Sequence, residues 1–226
     1  MTKQDLIDFE TEVAEHFNAG RIRAPVHLSG GNEDQLIELF QRIKPHDYVF
    51  STWRSHYHAL LHGVPREQLM AKILKGESIT ISVPERKFYS SAICGGCLPI
   101  ALGVAWGIRY LQMGLHDVRD SHVCCFVGDM AAMMGAFAEC QRYAVNHKLP
   151  ITFVIEDNRK CVNANTRELW AYDEHWPERH LADVEWGKHQ VNNVLRYVYQ
   201  LAWPHMGTGK FVEFSDDQKF QPTGGM

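Results

Sequence analysis

The chain has 226 residues, 45% of them hydrophobic and 22% charged, with a formal net charge of −4, which suits one α/β domain over 1–226 with a sizeable core. A mildly acidic chain without a basic stripe argues against nucleic acid as a partner, and no apolar run reaches membrane-spanning length. The opening Met1-Thr2-Lys3-Gln4-Asp5 lacks a secretory apolar region, so the expected location is the cytoplasm, with the six cysteines reduced.

Leu6, Ile7, Phe9, Val13, Ala14 and Phe17 recur at helical spacing and predict a first helix over 4–18. A second fits Glu33 to Ile43 and stops before Pro45. Tyr48-Val49-Phe50 reads as a short strand. Ser55 to Leu61 and Arg66 to Lys75 read as helices, the second with Pro65 near its first turn, and Glu77 to Lys87 reads as a loop. Leu98 to Met113 is a long apolar helix whose small residues Ala101, Gly103 and Ala105 suit close packing. Val123 to Val127 reads as a buried strand, Ala132 to Asn146 as an amphipathic helix and Ile151 to Ile155 as a second buried strand. A helix is expected from Trp186 to Leu201, a last strand at Phe211-Val212-Glu213-Phe214, and a flexible tail over 216–226.

The chemistry concentrates where the first buried strand runs into Phe126-Val127-Gly128-Asp129, with Asn158 following 29 positions after Asp129. Strand, helix and strand here have the length of a parallel crossover. Asp129 and Asn158 then fall at the carboxyl ends of neighbouring strands, where open α/β sheets bind ligands. One carboxylate and one amide oxygen suit a hard divalent cation such as Mg²⁺, which is usually held by few protein ligands together with substrate phosphates. Asp129 as a helix N-cap and Asn158 as a turn residue are the plainer readings.

This arrangement resembles the thiamine diphosphate motif, Gly-Asp-Gly followed after a similar interval by Asn-Asn. Three further blocks extend the likeness to the alpha subunits of 2-oxo acid dehydrogenase first components, such as the pyruvate and acetoin enzymes. Ile22-Arg23-Ala24-Pro25-Val26-His27-Leu28 is similar to their Ile-Arg-Gly-x-x-His-Leu. Thr52-Trp53-Arg54-Ser55-His56 is similar to Tyr-Arg-x-His, and Phe88-Tyr89 with Ile93-Cys94-Gly95-Gly96-Cys97-Leu98-Pro99 is similar to their Phe-Tyr-Gly-Gly…Pro run. The blocks come in family order from about residue 5 to 160.

The resemblance implies a three-layer parallel sheet with helices on both faces, the diphosphate-binding half of the thiamine diphosphate fold. It implies thiamine diphosphate and Mg²⁺ as cofactors, with Asp129 and Asn158 as side-chain ligands of the metal and Lys160 as a backbone-carbonyl ligand. Gly128, Met130 and Ala131 would meet the phosphates, Arg54 would pair with them, and Trp53 occupies the family's Tyr position. Ala92 and Cys94 stand where the family contacts the aminopyrimidine. His27 and His56 match active-site histidines, suited to proton transfer or to a substrate carboxylate.

The activating glutamate of this family belongs to a beta subunit, so the resemblance implies a beta-like partner in an α2β2 assembly. The implied reaction is decarboxylation or C–C cleavage of a 2-oxo acid or related ketone, with transfer of a fragment. A split transketolase acting on sugar phosphates, where Arg159, Lys160 and Arg167 would be available, and a non-catalytic scaffold are the competing readings. Met130 replaces the motif's second Gly; with ordinary helix-start dihedrals its amide still serves. Asp157 replaces the first Asn and adds a charge beside the metal. Past the expected last strand the family continues to a His-x-His loop; Ser215-Asp216-Asp217-Gln218 stands there instead, so that loop is expected to be lacking and the acceptor to be a small molecule.

Cys94-Gly95-Gly96-Cys97 also admits a redox or zinc reading, although a zinc site would want a second Cys pair. Cys124 and Cys125 lie on opposite faces of a strand, and with Cys140 and Cys161 read as core residues. His58 and His62 share a helix face and are expected at a helix surface or subunit contact, with a transition-metal site as the sharper reading. His175, Trp176, His180, Trp186 and His189 are expected to pack against a partner, with a substrate lid as the alternative, and Met133-Met134 at an interface.

Overall fold

Strand residues divide strictly by parity. Val123, Cys125 and Val127 pack into one apolar cluster with Phe50, Ile151, Phe153 and Ile155, while Cys124, Phe126 and Val154 pack into a second with Val49 and Leu195. A strand apolar on both faces belongs at the centre of a parallel sheet covered twice, and that is the architecture found in the computed structural model, which describes residues 1–113, 120–170 and 193–213.

The strands are β1 (Tyr48–Ser51), β2 (Ser82–Val83), β3 (Phe88–Ser90), β4 (Val123–Gly128), β5 (Ile151–Asp157) and β8 (Val194–Val198), in the spatial order β2-β3-β1-β4-β5-β8. Every pairing is parallel except that of β2 with β3. A small hairpin of β6 (Lys160–Cys161) and β7 (Ala164–Asn165) follows β5. Helices α1 (Lys3–Asn18), α2 (Glu33–Phe40), α3 (His56–Leu61) and α4 (Arg66–Lys72) cover one face. Helices α5 (Cys97–Gln112) and α7 (Gly135–Asn146) cover the other. The short α6 (Asp129–Ala132) and α8 (Thr166–Trp170) lie by the strand ends.

Local chemistry explains the boundaries. Thr2 and Asp5 form a reciprocal capping box at the start of α1. The stacked rings of Phe40 and Phe126, 5.7 Å apart and 3° from parallel, dock α2 on β4. The helix expected over 132–146 starts at Gly135, and Ala132 instead ends the separate short α6. The Met133 and Met134 amides turn back to the Met130 and Ala131 carbonyls and close α6, and Met134 is extended, with ψ 148, before α7 begins.

Two expectations near the C-terminus fail. Residues 194–198 form a strand rather than the end of a helix, and 211–213 are not a strand. The run Val194-Leu195-Arg196-Tyr197-Val198 is rich in β-branched and aromatic residues, and the open edge of β5 gives it backbone partners that no helix would. The stretch expected to be a loop, 77–87, holds the end of a π-helical turn (Ile73–Glu77), β2 and a 3-10 turn (Pro84–Arg86). The tail 216–226, the aromatic cluster from His175 to His189 and the first part of the expected helix at 186 lie outside the described residues. Among the described residues no helix is long and apolar enough to cross a membrane.

Candidate functional site

The carboxyl ends of β1, β4, β5 and β8 meet at a crevice of about 110 Å³, the place where a parallel sheet offers ligands its strand-end loops. Trp53, Arg54, Cys94, Gly128, Asp129, Met130, Ala131, Asn158 and Lys160 all line it, so nine residues singled out from the sequence converge there. Glu156, Tyr199 and His205 line it as well.

Asp129 opens α6 at the tip of β4 and is buried. Its Oδ2 accepts the Thr166 hydroxyl at 2.7 Å. Burial, and then the charge of the neighbouring Asp157, push its carboxyl up to about 6, against the Thr166 hydrogen bond that favours ionisation. Met130 has no positive φ and sits inside α6, so the side chain there costs no backbone strain. Just past the end of β5, the Asn158 Oδ1 accepts the Lys160 amide at 2.9 Å, and the Tyr199 hydroxyl bonds the Asn158 side chain. Asp157 is buried: its Oδ1 accepts the Arg159 amide at 2.8 Å, and its Oδ2 accepts Arg196 Nε at 3.0 Å and Arg196 Nη2.

Arg54 crosses from β1 to the loop after β8. Its Nη2 bonds His205 Nδ1 and donates to the His205 carbonyl, both at 3.0 Å. Burial lowers the Arg54 pKa, opposed by Tyr199, Glu156 and Asp129. His27 stands behind this pair. Its ring lies 5.0 Å from His205 and 5.7 Å from Trp53, and burial, followed by the Arg54 charge, takes its pKa down to about 4. Glu156 projects to the opposite face from Asp157; its Oε1 receives Asn32 Nδ2 at 3.2 Å, the Tyr197 hydroxyl at 2.5 Å and His58 Nε2 at 3.1 Å.

The remaining residues sit elsewhere. Ala92 does not line the crevice. His56 is fully buried, with Nδ1 on Glu10 and Nε2 on Ser78, both at 3.0 Å. In this arrangement its ring ties α1, α3 and the turn after α4 together and does not line the crevice. His58 and His62 are buried, not at a surface as expected: His58 holds Glu156 and His62 reaches the Asp47 carbonyl at 3.1 Å. Cys97 is buried and its thiol donates to the Ser51 carbonyl, while Cys94 is exposed at the crevice. The two therefore face different surroundings. Met134 is part-exposed and its sulfur packs near Gly95. Residue 167 has no described side chain.

The sequence reading missed His205, Tyr199 and Glu156. The first two were hidden by the misplaced last strand. Glu156 stood beside the motif, and the strand's period of two already placed it opposite Asp157. With β8 at 194–198, the segment that follows it carries Trp203, Pro204 and His205, and His205 lines the crevice.

The donor set fits a diphosphate and a divalent cation. Trp53 Nε1 and Arg54 Nε are buried N–H donors without a hydrogen-bond partner among the described residues, and His27 Nδ1 is likewise unpartnered. Unmet buried donors cost about 1–3 kcal/mol each, and an anion would satisfy them. Across the crevice, a desolvated carboxyl beside a second one is the environment a cation relieves.

The profile of the family described as dehydrogenase E1 component matches residues 1–174. The alpha subunit of the pyruvate dehydrogenase E1 component of Porphyra purpurea is 34% identical over 166 residues, covering 69% of this chain and 48% of that subunit. The chloroplastic pyruvate dehydrogenase E1 component subunit alpha-3 of Arabidopsis thaliana is 29% identical, covering 74% of this chain and 42% of that one. The alpha subunit of the acetoin:2,6-dichlorophenolindophenol oxidoreductase of Bacillus subtilis is 31% identical, covering 66% and 46%. The chain thus spans less than half the length of each of these relatives.

Proposed function

The chain belongs to the dehydrogenase E1 component family, and on that premise we propose that it is the alpha-like, diphosphate-binding subunit of a thiamine diphosphate- and Mg²⁺-dependent enzyme acting on a 2-oxo acid or related ketone. The observation that carries this reading is the convergence in one crevice of Asp129 and Asn158 with buried, unpartnered donors on Trp53 and Arg54. Asp129, the Asn158 amide oxygen and the Lys160 carbonyl would hold the metal. Arg54, Trp53 and His205 would hold the diphosphate. When bound, thiamine diphosphate supplies a nucleophilic carbon and an electron sink for C–C cleavage.

The chain's own groups bind, orient and exclude water. Arg54 meets the phosphates already anchored on His205, so little side-chain freedom is lost on binding. His27, its pKa near 4, is neutral at pH 7 and offers a substrate a hydrogen bond rather than a charge. In the family the glutamate that activates the cofactor comes from a beta subunit, and that supports a beta-like partner and an α2β2 assembly here.

Met130 lends no support to a cofactor-free scaffold, because its backbone is ordinary helix. The test is calorimetric titration of thiamine diphosphate with Mg²⁺ into the chain in complex with its co-purifying subunit. Binding is expected, and Asp129→Ala should weaken it by at least the roughly 10–100-fold typical of metal-site substitutions. Unchanged affinity in that variant would remove Asp129 from the metal, and no binding in the complex would leave the scaffold.

A further inference from the structure

Asp157 places a second carboxylate beside Asp129, close enough that its charge acts on the Asp129 carboxyl. Unopposed, the pair would put two negative charges at a site that must take a cation and then a diphosphate. The structure supplies the opposing charge from the next strand. Arg196 pairs in register with Ile155 on β5, so its side chain shares the face of Asp157, two residues further on. Its Nε and Nη2 both hold Asp157 Oδ2, while the Arg159 amide takes Oδ1. Both side chains are buried. Every Asp157 oxygen is thereby committed inside the protein by a cation or an amide, whereas among the described residues the Asp129 carboxyl meets no cation: the Thr166 hydroxyl donates to its Oδ2 and the Met130 backbone amide bonds it at the start of α6.

We propose that Arg196 is a positioning residue of the cation site: it cancels the charge of Asp157 and keeps that carboxylate out of the metal's coordination, so that Asp129 alone meets a divalent ion as a free carboxylate. This rests on the proposed function and deepens it. In the family motif the corresponding position is Asn, which carries no charge; Asp157 with Arg196 restores the same neutrality by pairing. A plain ion-pair strut between β5 and β8 is the alternative, and it makes a different prediction. Loss of either half of a strut disturbs the site in one direction, whereas loss of either half of a charge balance moves cation affinity in opposite directions.

The experiment uses the full chain with its co-purifying subunit and follows Mn²⁺ by electron paramagnetic resonance, without and then with thiamine diphosphate. Without cofactor, Arg196→Gln should tighten Mn²⁺ and Asp157→Asn should weaken it, each by roughly three- to tenfold for one unit charge a few ångströms from a partly hydrated ion. The double variant D157N/R196Q should return to within about twofold of wild type, since the two charges cancel. Arg196→Lys, which keeps the charge but not the two-pronged contact, should also stay near wild type. Both single variants shifting the same way, or a double variant that keeps a defect, would overturn the proposal in favour of the strut. Where Arg196→Gln fails to fold, the contrast between Asp157→Asn and Arg196→Lys decides: equal effects overturn it, and a weakened D157N beside an intact R196K supports it. If wild type takes up no Mn²⁺ even with thiamine diphosphate, the functional reading itself has failed and the proposal falls with it.

Discussion

His27 sits uncharged beside a guanidinium, and that has a price in acid. Its pKa is near 4 against 6.5 for a free histidine, from burial first and the Arg54 charge second. His122 is held near 4 mainly by burial, and burial also lowers His62. Between pH 6.5 and 4 the unfolded chain therefore binds more protons at His27 and His122 than the folded chain does. Their stabilising effect is fully present above 6.5 and declines as pH falls through that window, by up to about 1.4 kcal/mol per pH unit for each of the two. Denaturant melts from pH 7 to 4.5 should show this slope, and His27→Gln should make it shallower; an unchanged slope would mean His27 is protonated in the folded chain. None of this was legible from the sequence. Ile-Arg-x-x-x-His marked His27 as a site residue, but its neutrality depends first on burial and then on Arg54 and His205, and all of these arise only in the fold. His56 carries the same lesson. Its block of residues pointed to chemistry, and tertiary packing placed it between Glu10 and Ser78, where it is shut off from the crevice.

At the level of elements, the loop after β8 is what turns a set of strand ends into an enclosed crevice. It lies on the loop before α2: the Ala202 amide donates to the Gly30 carbonyl at 3.1 Å and the Gly207 amide to the Val26 carbonyl at 2.7 Å. Gly31 permits this approach. Its φ is +92°, and a Cβ there would fall 1.9 Å from the Gln200 carbonyl oxygen. Gly31→Ala is therefore expected to cost ~2–4 kcal/mol from left-handed strain and displacement of that carbonyl. It should also part His205 from Arg54, so cofactor affinity should fall along with the melting temperature. A variant with native stability and native affinity would show that the loop is not fixed by this contact. The central strands were legible because burial on both faces leaves unbroken apolar runs, and their spacing placed Asp129 and Asn158 at adjacent tips. β8 was not, because a five-residue strand with an inward arginine looks polar until the partner Asp157 is seen. The break at Met133-Met134 was likewise hidden, since both halves keep a helical period.

For the whole molecule, two apolar layers are covered by helices, yet among the described residues nothing covers the outer side of α5. Ile100, Tyr110 and Met113 are 58%, 77% and 76% exposed, and the small residues Gly103 and Gly107 have open space around them. Exposed apolar groups concentrated on one helix fit a subunit contact better than a free surface. Purified by itself, the 25.9 kDa chain is expected to self-associate in sedimentation experiments and to form one discrete species when the beta-like subunit is added. A stable monomer unaffected by that subunit would count against the proposed assembly. The stacking of the 199–207 segment on 26–31 has one more consequence, for biosynthesis. A ribosome-bound intermediate that has released residues 1–170 already holds the acidic tip at Asp129 and the amide tip at Asn158, but Arg54 still lacks its anchor and one wall is open. The anchored form of Arg54, and with it the closed crevice, is thus deferred until the segment around His205 has emerged and settled onto residues 26–31.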